Sequence, residues 1–433
     1  MKKYDKYKNS GIEWIGEIPE HWEITKMKFL SNTIIDGTHF TPTYISKGIP
    51  FLRVTDLQNI EIDLSKTKYI SLEEHKSLTK RCKPEKGDVL LSKNGTIGIT
   101  KVVDWDYEFS VFVSICLIKL KPILTPSFFV YLFGSHVVDL QIKAKSKTTS
   151  VTNLHLDQIR ELISIVPPIE DQKRINNFLD EKTGEIDEAI ALKNQLIALL
   201  QEEKSALINE AVTKGIDPTV PMKDSGIEWI GDIPAHWEIK KLKFVAEIIR
   251  GKFTHRPRND KRLYGGKYPF IQTSAVAKTG KYITNYTQTL NDLGYAVSKE
   301  FPKGTLTMTI AANIGDVAIL DFDACFPDSV VGFMPKKDFI VDFLYYRFGS
   351  MKQTFLETAI VNTQLNLNVD RISVLFITCP PKEEQTKIVN FIESRTQEID
   401  QEIDYTKEEI ALLKEYRQSL ISEAVTGKID VRK

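Results

Sequence analysis

Long hydrophobic runs are missing from this chain. No stretch of about 18 or more apolar residues occurs in its 433 positions, which excludes a membrane-spanning helix. The charged opening MKKYDKYKNS has no apolar core behind it and so does not read as a signal peptide. Cysteine is scarce: Cys82, Cys116, Cys325 and Cys379 lie far apart without a C-x-x-C pair. That spacing argues against a disulfide framework or a zinc site and predicts reduced thiols in a cytoplasmic protein. Low-complexity tracts are also absent. With 42% apolar residues, the chain has the composition of a folded protein and the length for two or three domains, each with its own core.

Net charge is the last absence, since 58 Lys and Arg balance 58 Asp and Glu. The balance is local nowhere. Residues 24–165 hold 19 basic against 14 acidic side chains (+5), and residues 239–378 hold 19 against 12 (+7). Residues 167–217 hold 6 against 11 and residues 380–430 hold 7 against 12, so each is −5. Two basic blocks alternate with two acidic ones, and such segregation points to a polyanionic partner for the basic blocks.

What is present is repetition. Ser10 to Glu23 reads SGIEWIGEIPEHWE and Ser225 to Glu238 reads SGIEWIGDIPAHWE, identical at 12 of 14 positions. A second pair is equally plain: PPIEDQKRINNFLDEKTGEID from Pro167, ending EAVTKGID, and PPKEEQTKIVNFIESRTQEID from Pro380, ending EAVTGKID. Fainter echoes lie between, such as IIDG (34–37) with IIRG (248–251) and GDVLLSKNGTIG (87–98) with GTLTMTIAANIG (304–315). The chain is a tandem duplication of phrase, basic block and acidic segment. The anchors match closely, whereas the basic blocks share only a skeleton.

The acidic segments carry apolar residues three or four apart, which predicts long helices with a coiled-coil seam. Ile186, Ile190, Leu196, Leu200 and Leu207 form the expected seam of the first, and Ile399, Ile403, Ile410, Leu413 and Leu420 that of the second. Gly184 is a place where the first helix could break, although Gln397 at the matching position allows continuity. The basic blocks alternate β-rich runs such as IPFLRV, GDVLLS and TLTMTI with turn signals, followed by helical stretches near 126–141 and 338–358. The expected fold is therefore mixed α/β: two tandem α/β domains separated by two long helices. Packed antiparallel, the helices would generate a pseudo-two-fold axis that suits duplex DNA. The expected boundaries are 1–165, 166–217, 218–379 and 380–433.

The paired phrases, the paired PP-x-x-(E/D)-Q segments, GTHFTP…Y…GIPFLR, and YGGKYPFIQT resemble the specificity (S) subunits of type I restriction–modification systems, over nearly the whole chain. The resemblance implies two target recognition domains that each read half of a bipartite site on double-stranded DNA. It implies long helices that set the spacing and dock two methyltransferase (M) subunits. It also implies partners that bring the chemistry: M subunits that methylate adenine with S-adenosylmethionine, and restriction (R) subunits that use ATP and Mg. The setting implied is the prokaryotic cytoplasm, with no membrane partner and no cofactor in this chain.

Catalytic motifs of its own are missing. An adenine methyltransferase needs an Asn/Asp-Pro-Pro-aromatic tetrad, and Val166-Pro167-Pro168-Ile169 and Cys379-Pro380-Pro381-Lys382 lack both flanks. Gly11–Gly16 has phosphate-loop spacing but continues with Glu17 in place of Lys. His21 and His236, flanked by tryptophans, have no adjacent nucleophile and read as packing residues, as do Trp14, Trp22, Trp229 and Trp237.

The DNA-contact candidates follow from charge and turn chemistry. RGKFTHRPRNDKRLYGGK supplies Arg250, Lys252, His255, Arg256, Arg258, Lys261, Arg262 and Lys267, with Gln272 beyond it. Such residues neutralise phosphates, and arginine also bonds guanine edges; an ordinary solvated loop is the alternative. The matching first-block loop offers Thr38, His39, Thr41 and Lys47, followed by Arg53. Lys93, Asn94 and Asn313 lie after predicted strands, where an amide can pair with adenine or merely shape a turn. Lys143, Lys145 and Lys147 are suited to backbone phosphate. A coiled-coil scaffold for proteins, without DNA specificity, is the competing function.

Overall fold

The structure, a computed structural model, describes residues 3–58, 61–146, 153–311, 313–361 and 365–432, with the side chains of 145, 146, 360, 361, 365 and 366 outside the description. The chain forms two compact units: Met1–Asn194 with Lys407–Lys433 (unit one), and Gln195–Thr406 (unit two).

The acidic segments are the long helices Ile169–Lys214 and Lys382–Val425, 46 and 44 residues, or roughly 69 and 66 Å at 1.5 Å per residue. Gly184 does not interrupt the first. Its weak helix propensity is outweighed by Ile175, Leu179 and Ile186, buried on either side.

Ile186, Ile190, Lys193, Ile197, Leu200, Lys204 and Leu207 follow at alternating steps of four and three, and so do Ile399, Ile403, Thr406, Ile410, Leu413, Arg417, Leu420 and Ala424. The helices are antiparallel within each unit. In unit one Arg417 grips Asp187 with Nε and Nη2 at 2.9 and 3.1 Å, and Lys193 meets Glu409 at 2.7 Å. In unit two Lys204 meets Asp400 at 2.6 Å, while Leu207 and Val212 share a core with Ile388 and Ile392. Leu196 corrects the expected seam. It is 38% exposed, because Ile197 occupies the heptad position and packs with Leu200, Ile399 and Ile403.

Each basic block is built on an antiparallel sheet whose strands occur in the same spatial order. In unit one the order is Ser31–Asp36, Ile115–Leu120, Val89–Ser92, Thr100–Val102. In unit two it is Ala246–Arg250, Val330–Pro335, Leu306–Thr309, Val317–Leu320, with Tyr282–Ile283 added in parallel at the edge. The central strands are buried on both faces, and the two-residue period of a strand divides their side chains between two cores. Val89, Leu91, Cys116 and Ile118 face the core built on Phe128, Phe129 and the first long helix. Leu90, Ile115 and Leu117 face a second core, with Leu52 and Phe109. Unit two repeats the division, with Leu306, Met308 and Phe333 on one side and Ala318, Leu320 and Val330 on the other.

The duplicated phrases close each unit onto a helix end. In unit one Tyr7–Asn9 pairs with Glu17–Pro19, and buried Trp22 packs where the second long helix stops at Gly427. In unit two Met222–Asp224 pairs with Asp232–Pro234, and Trp237 packs at Gly215, past the first long helix. A glutamine at the start of each long helix then ties the block to it. Gln172 accepts from Thr125 N and donates to the carbonyls of Ile123 and Pro167. Gln385 makes the same three bonds, to Ile340 N, Asp338 O and Pro380 O. Trp14, 47% exposed, departs from the expected packing role, whereas Trp229, although 42% exposed, lays its ring 5.4 Å from the buried Arg347 guanidinium.

Candidate nucleic-acid interface

In unit one the first strand of the sheet runs into the loop 37–47, and Asp36 at its end is a buried anchor. Arg81 donates from Nη2 to Asp36 Oδ1 at 2.7 Å and from Nη1 to the carbonyls of Asp36 and Gly37 at 3.2 and 3.0 Å. His39 Nε2 lies 3.1 Å from Oδ1 and Lys93 Nζ 3.3 Å from Oδ2. Burial pushes the Asp36 carboxyl up, but the hydrogen bonds of Arg81 and His39 and the charge of Lys93 outweigh it and hold it below the usual range. One carboxylate thus gathers three basic side chains.

Two of the sequence candidates are inside. Lys93 is buried against Asp36, so its ammonium is a structural counter-charge in place of a surface phosphate contact. Thr38 is buried as well, its N–H donating to Val111 O at 3.1 Å. His39, Thr41 and Lys47 are exposed on the loop. Arg53 is held by Asp56 at 3.3 Å from Nε, and Asn94 forms a bridge with Asn153. Lys143 pairs with Asp139 at 2.7 Å; the Lys145 side chain and all of Lys147 lie outside the described residues. Arg81 carries no local signal in the sequence. It lies 45 positions from Asp36, and only the fold brings the two together.

In unit two the loop from Arg250 converges on Asp328, a residue with no signal in the sequence. Arg250 Nε donates to the Asp328 carbonyl at 2.6 Å, Arg256 Nη2 reaches Oδ2 at 3.5 Å, and Arg258 Nη2 bonds Oδ1. Arg256 is further committed within the loop, donating from Nη1 to the carbonyls of Phe253 and His255 at 2.7 and 2.8 Å. Asp260 forms a second node, accepting from Arg262 Nη2 at 2.7 Å and lying 2.9 Å from His255 Nε2. The Arg262 bonds, then that of His255, hold its carboxyl far below the usual range. Lys252, Lys261 and Lys267 are exposed, with Lys267 Nζ 5.1 Å from the Tyr268 ring centre. Gln272 bonds Gln288, and Asn313 is exposed with its carbonyl accepting from Thr309 Oγ1. Three arginines on a fixed carboxylate residue form a cationic surface whose guanidinium edges are oriented, the geometry needed to read a base edge as well as a phosphate.

Among the described residues no group of three or more His, Cys, Asp or Glu is placed to hold a metal ion, and no helix is long and apolar enough to cross a membrane. The four cysteines are buried free thiols; burial pushes Cys82 up to about 11 and Cys379 up to about 12.

Comparison with known proteins identifies the repeated frame. The family described as type I restriction modification DNA specificity domain matches residues 19–202 and again 234–413. The chain is 25% identical over 431 residues to a putative type I restriction enzyme MjaX specificity subunit of Methanocaldococcus jannaschii, covering 96% of each. It is 20% identical to the EcoKI specificity subunit of Escherichia coli K12, covering 96% of this chain and 90% of that one. In fold it is similar to a chain solved in work on complex assembly and conformational transition of the type I R-M system, with a TM-score of 0.73 at 18% identity over 95% of this chain and 99% of that chain. The HsdS subunit of Thermoanaerobacter tengcongensis follows at 0.55 and 17%, over 95% and 98%.

Proposed function

The chain belongs to the type I restriction modification DNA specificity family, and from that premise we propose that its two units read the two different halves of a bipartite, asymmetric site on double-stranded DNA. It is a specificity subunit of a type I restriction–modification system, with the DNA specificity domain repeated twice. The observation that carries the proposal is the contrast between frame and loops. Strand order, glutamine ties and phrases repeat between the units, whereas the side chains on them differ: Asp36 gathers Arg81, His39 and the buried Lys93, and Asp328 gathers three arginines. Different side chains on one frame read different bases.

On this reading the subunit is non-catalytic and supplies address in place of chemistry. Two M subunits dock on it and methylate adenine with S-adenosylmethionine; R subunits, with ATP and Mg, restrict unmodified DNA. The long helices, which join the two specificity domains, set the spacer between the half-sites. Support for helix-borne docking is a second apolar stripe outside the seam. Leu192, Leu196 and Leu199 are exposed on the first helix, and Tyr405, Leu412 and Tyr416 on the second. Exposed apolar rows at helical spacing fit partner helices. The site of action is the prokaryotic cytoplasm.

A salt titration of duplex binding tests the proposal. Phosphate contacts predict that log affinity falls linearly with log salt concentration, and steeply. Binding that is absent, or indifferent to salt, would favour a protein scaffold without DNA specificity.

A further inference from the structure

We propose that Asp328 is a positioning residue that presents the guanidinium edge of Arg258 to a guanine in the half-site read by unit two. The proposal rests on the DNA-reading role of that unit and adds which base type is read, by which residue, and why that arginine.

The arginines around Asp328 are not equivalent. Arg256 is a staple: Nη1 serves two loop carbonyls and Nη2 reaches the carboxylate. Arg250 is fixed through Nε to the Asp328 carbonyl, so its placement does not depend on the carboxylate. Arg258 is held by the carboxylate at one point, Nη2 to Oδ1, and makes no other side-chain hydrogen bond among the described residues. Its backbone is pinned separately, the carbonyl accepting from Tyr264 Oη. The side chain is half exposed. Nε, Nη1 and one hydrogen of Nη2 therefore remain to donate, enough for two bonds to the O6 and N7 acceptors of guanine.

The carboxylate also settles what Arg258 is good for. A free arginine on a basic loop is drawn to phosphate, which carries no sequence information. Pairing with Asp328 offsets much of that attraction and fixes the plane of the fork, so a contact depends more on geometry than on charge. The carboxylate itself repels phosphate and cannot accept from guanine O6 or N7, so it favours presentation of the arginine over its own contact. Unit one differs at the corresponding turn, which reads Phe112-Val113-Ser114 without an acid; there Arg81 spends both Nη atoms on Asp36 and Gly37, and Arg53 is held by Asp56 through both Nε and Nη2.

The experiment uses the full chain assembled with its methyltransferase subunits, a randomised duplex library, and sequencing of the methylated products. The wild type should require guanine at a fixed position of one half-site, by roughly 5- to 150-fold over other bases, the discrimination of one bidentate pair. Arg258→Lys keeps the charge but not the fork, and Asp328→Ala keeps the fork but not its orientation. Each should erase the preference at that one position and leave every other position and the second half-site intact. Asp328→Ala alone should also bind random duplex more tightly, with a salt slope steeper by about one phosphate contact. Retention of the guanine preference by either variant overturns the proposal, and so does collapse of the whole half-site in Asp328→Ala with no gain in nonspecific affinity, which would mark a loop strap. A wild-type complex that selects no motif would overturn the DNA-reading role beneath it, a result distinct from both.

Discussion

Trp22 donates its indole Nε1–H to Asp171 Oδ2 at 3.0 Å, and His21 Nε2 approaches the same oxygen at 2.9 Å. This carboxylate is buried at the start of the first long helix and ties the duplicated phrase to it. Among the described residues the equivalent acid of unit two, Glu384, meets His236 at 2.8 Å and not the indole, and Trp237 Nε1 has no partner. Asp171→Ala leaves a buried indole donor unpaired and should destabilise unit one by about 1–3 kcal/mol. Glu384→Ala breaks a more exposed pair and should cost less than about 1 kcal/mol. Chemical denaturation of the two variants, followed by tryptophan fluorescence, reads the difference.

The glycines at the helix ends should rank in the same sense. Gly427 has φ +70°, and a Cβ there would lie 2.4 Å from Pro19 Cδ and 3.0 Å from Trp22 Cη2. Gly215 has φ +81°, but its nearest neighbour would be Trp237 Cζ2 at 3.3 Å. Alanine at Gly215 should cost about 1 kcal/mol for the left-handed backbone. Alanine at Gly427 should cost about 1–3 kcal/mol more, because proline and indole must also give way. Thermal melts of both variants test this ranking.

Along the helix seam the expected contrast is between Leu200 and Leu196. Leu200→Ala empties a buried position against Ile399 and Ile403 and should cost about 2–5 kcal/mol. Leu196→Ala, one residue before the heptad position, should change the stability of the free chain by no more than about 0.5 kcal/mol. If Leu196 belongs to the docking stripe, the same substitution should weaken co-purification with M subunits.

Unit one should lose stability at mildly acidic pH. Burial pushes His75 below its ordinary value of 6.5, with the Glu108 carboxylate opposing at 3.7 Å, while Nδ1 lies 2.9 Å from Ser110 Oγ. The unfolded chain takes up a proton as pH falls through 6.5, whereas the folded unit resists it until a lower pH. The His75 contribution is therefore complete above the unfolded value and declines between the unfolded and folded values. His75→Gln, which can still bond Ser110, should flatten that part of a melting-temperature profile.

The frame was largely legible in the sequence because its signals are local or duplicated. Heptad steps mark the long helices, and short apolar β-rich runs between turn signals mark strands such as VLLS, buried throughout; copying of the phrases marks two equivalent units. Leu196 and Ile197 are both apolar, and only the partner helix selects between the two phases. Nothing local in the sequence marks Trp14 as exposed. The candidate interface was less legible. Arg256 and Arg258 declare a basic loop, but Asp328 lies 70 residues from Arg258, and Arg81 45 residues from Asp36. Pairings at that separation leave no periodicity to read. Lys93 shows the reverse error, a basic residue beside a turn whose charge is spent inside on Asp36.

The central claim, two unlike readers on one repeated frame, is tested most directly by sequencing the methylome of a host that expresses this chain with its methyltransferase subunits. The account predicts one adenine-methylated motif made of two different half-sites separated by a spacer of fixed length and free sequence. A continuous motif, or a palindrome with identical halves, would contradict it.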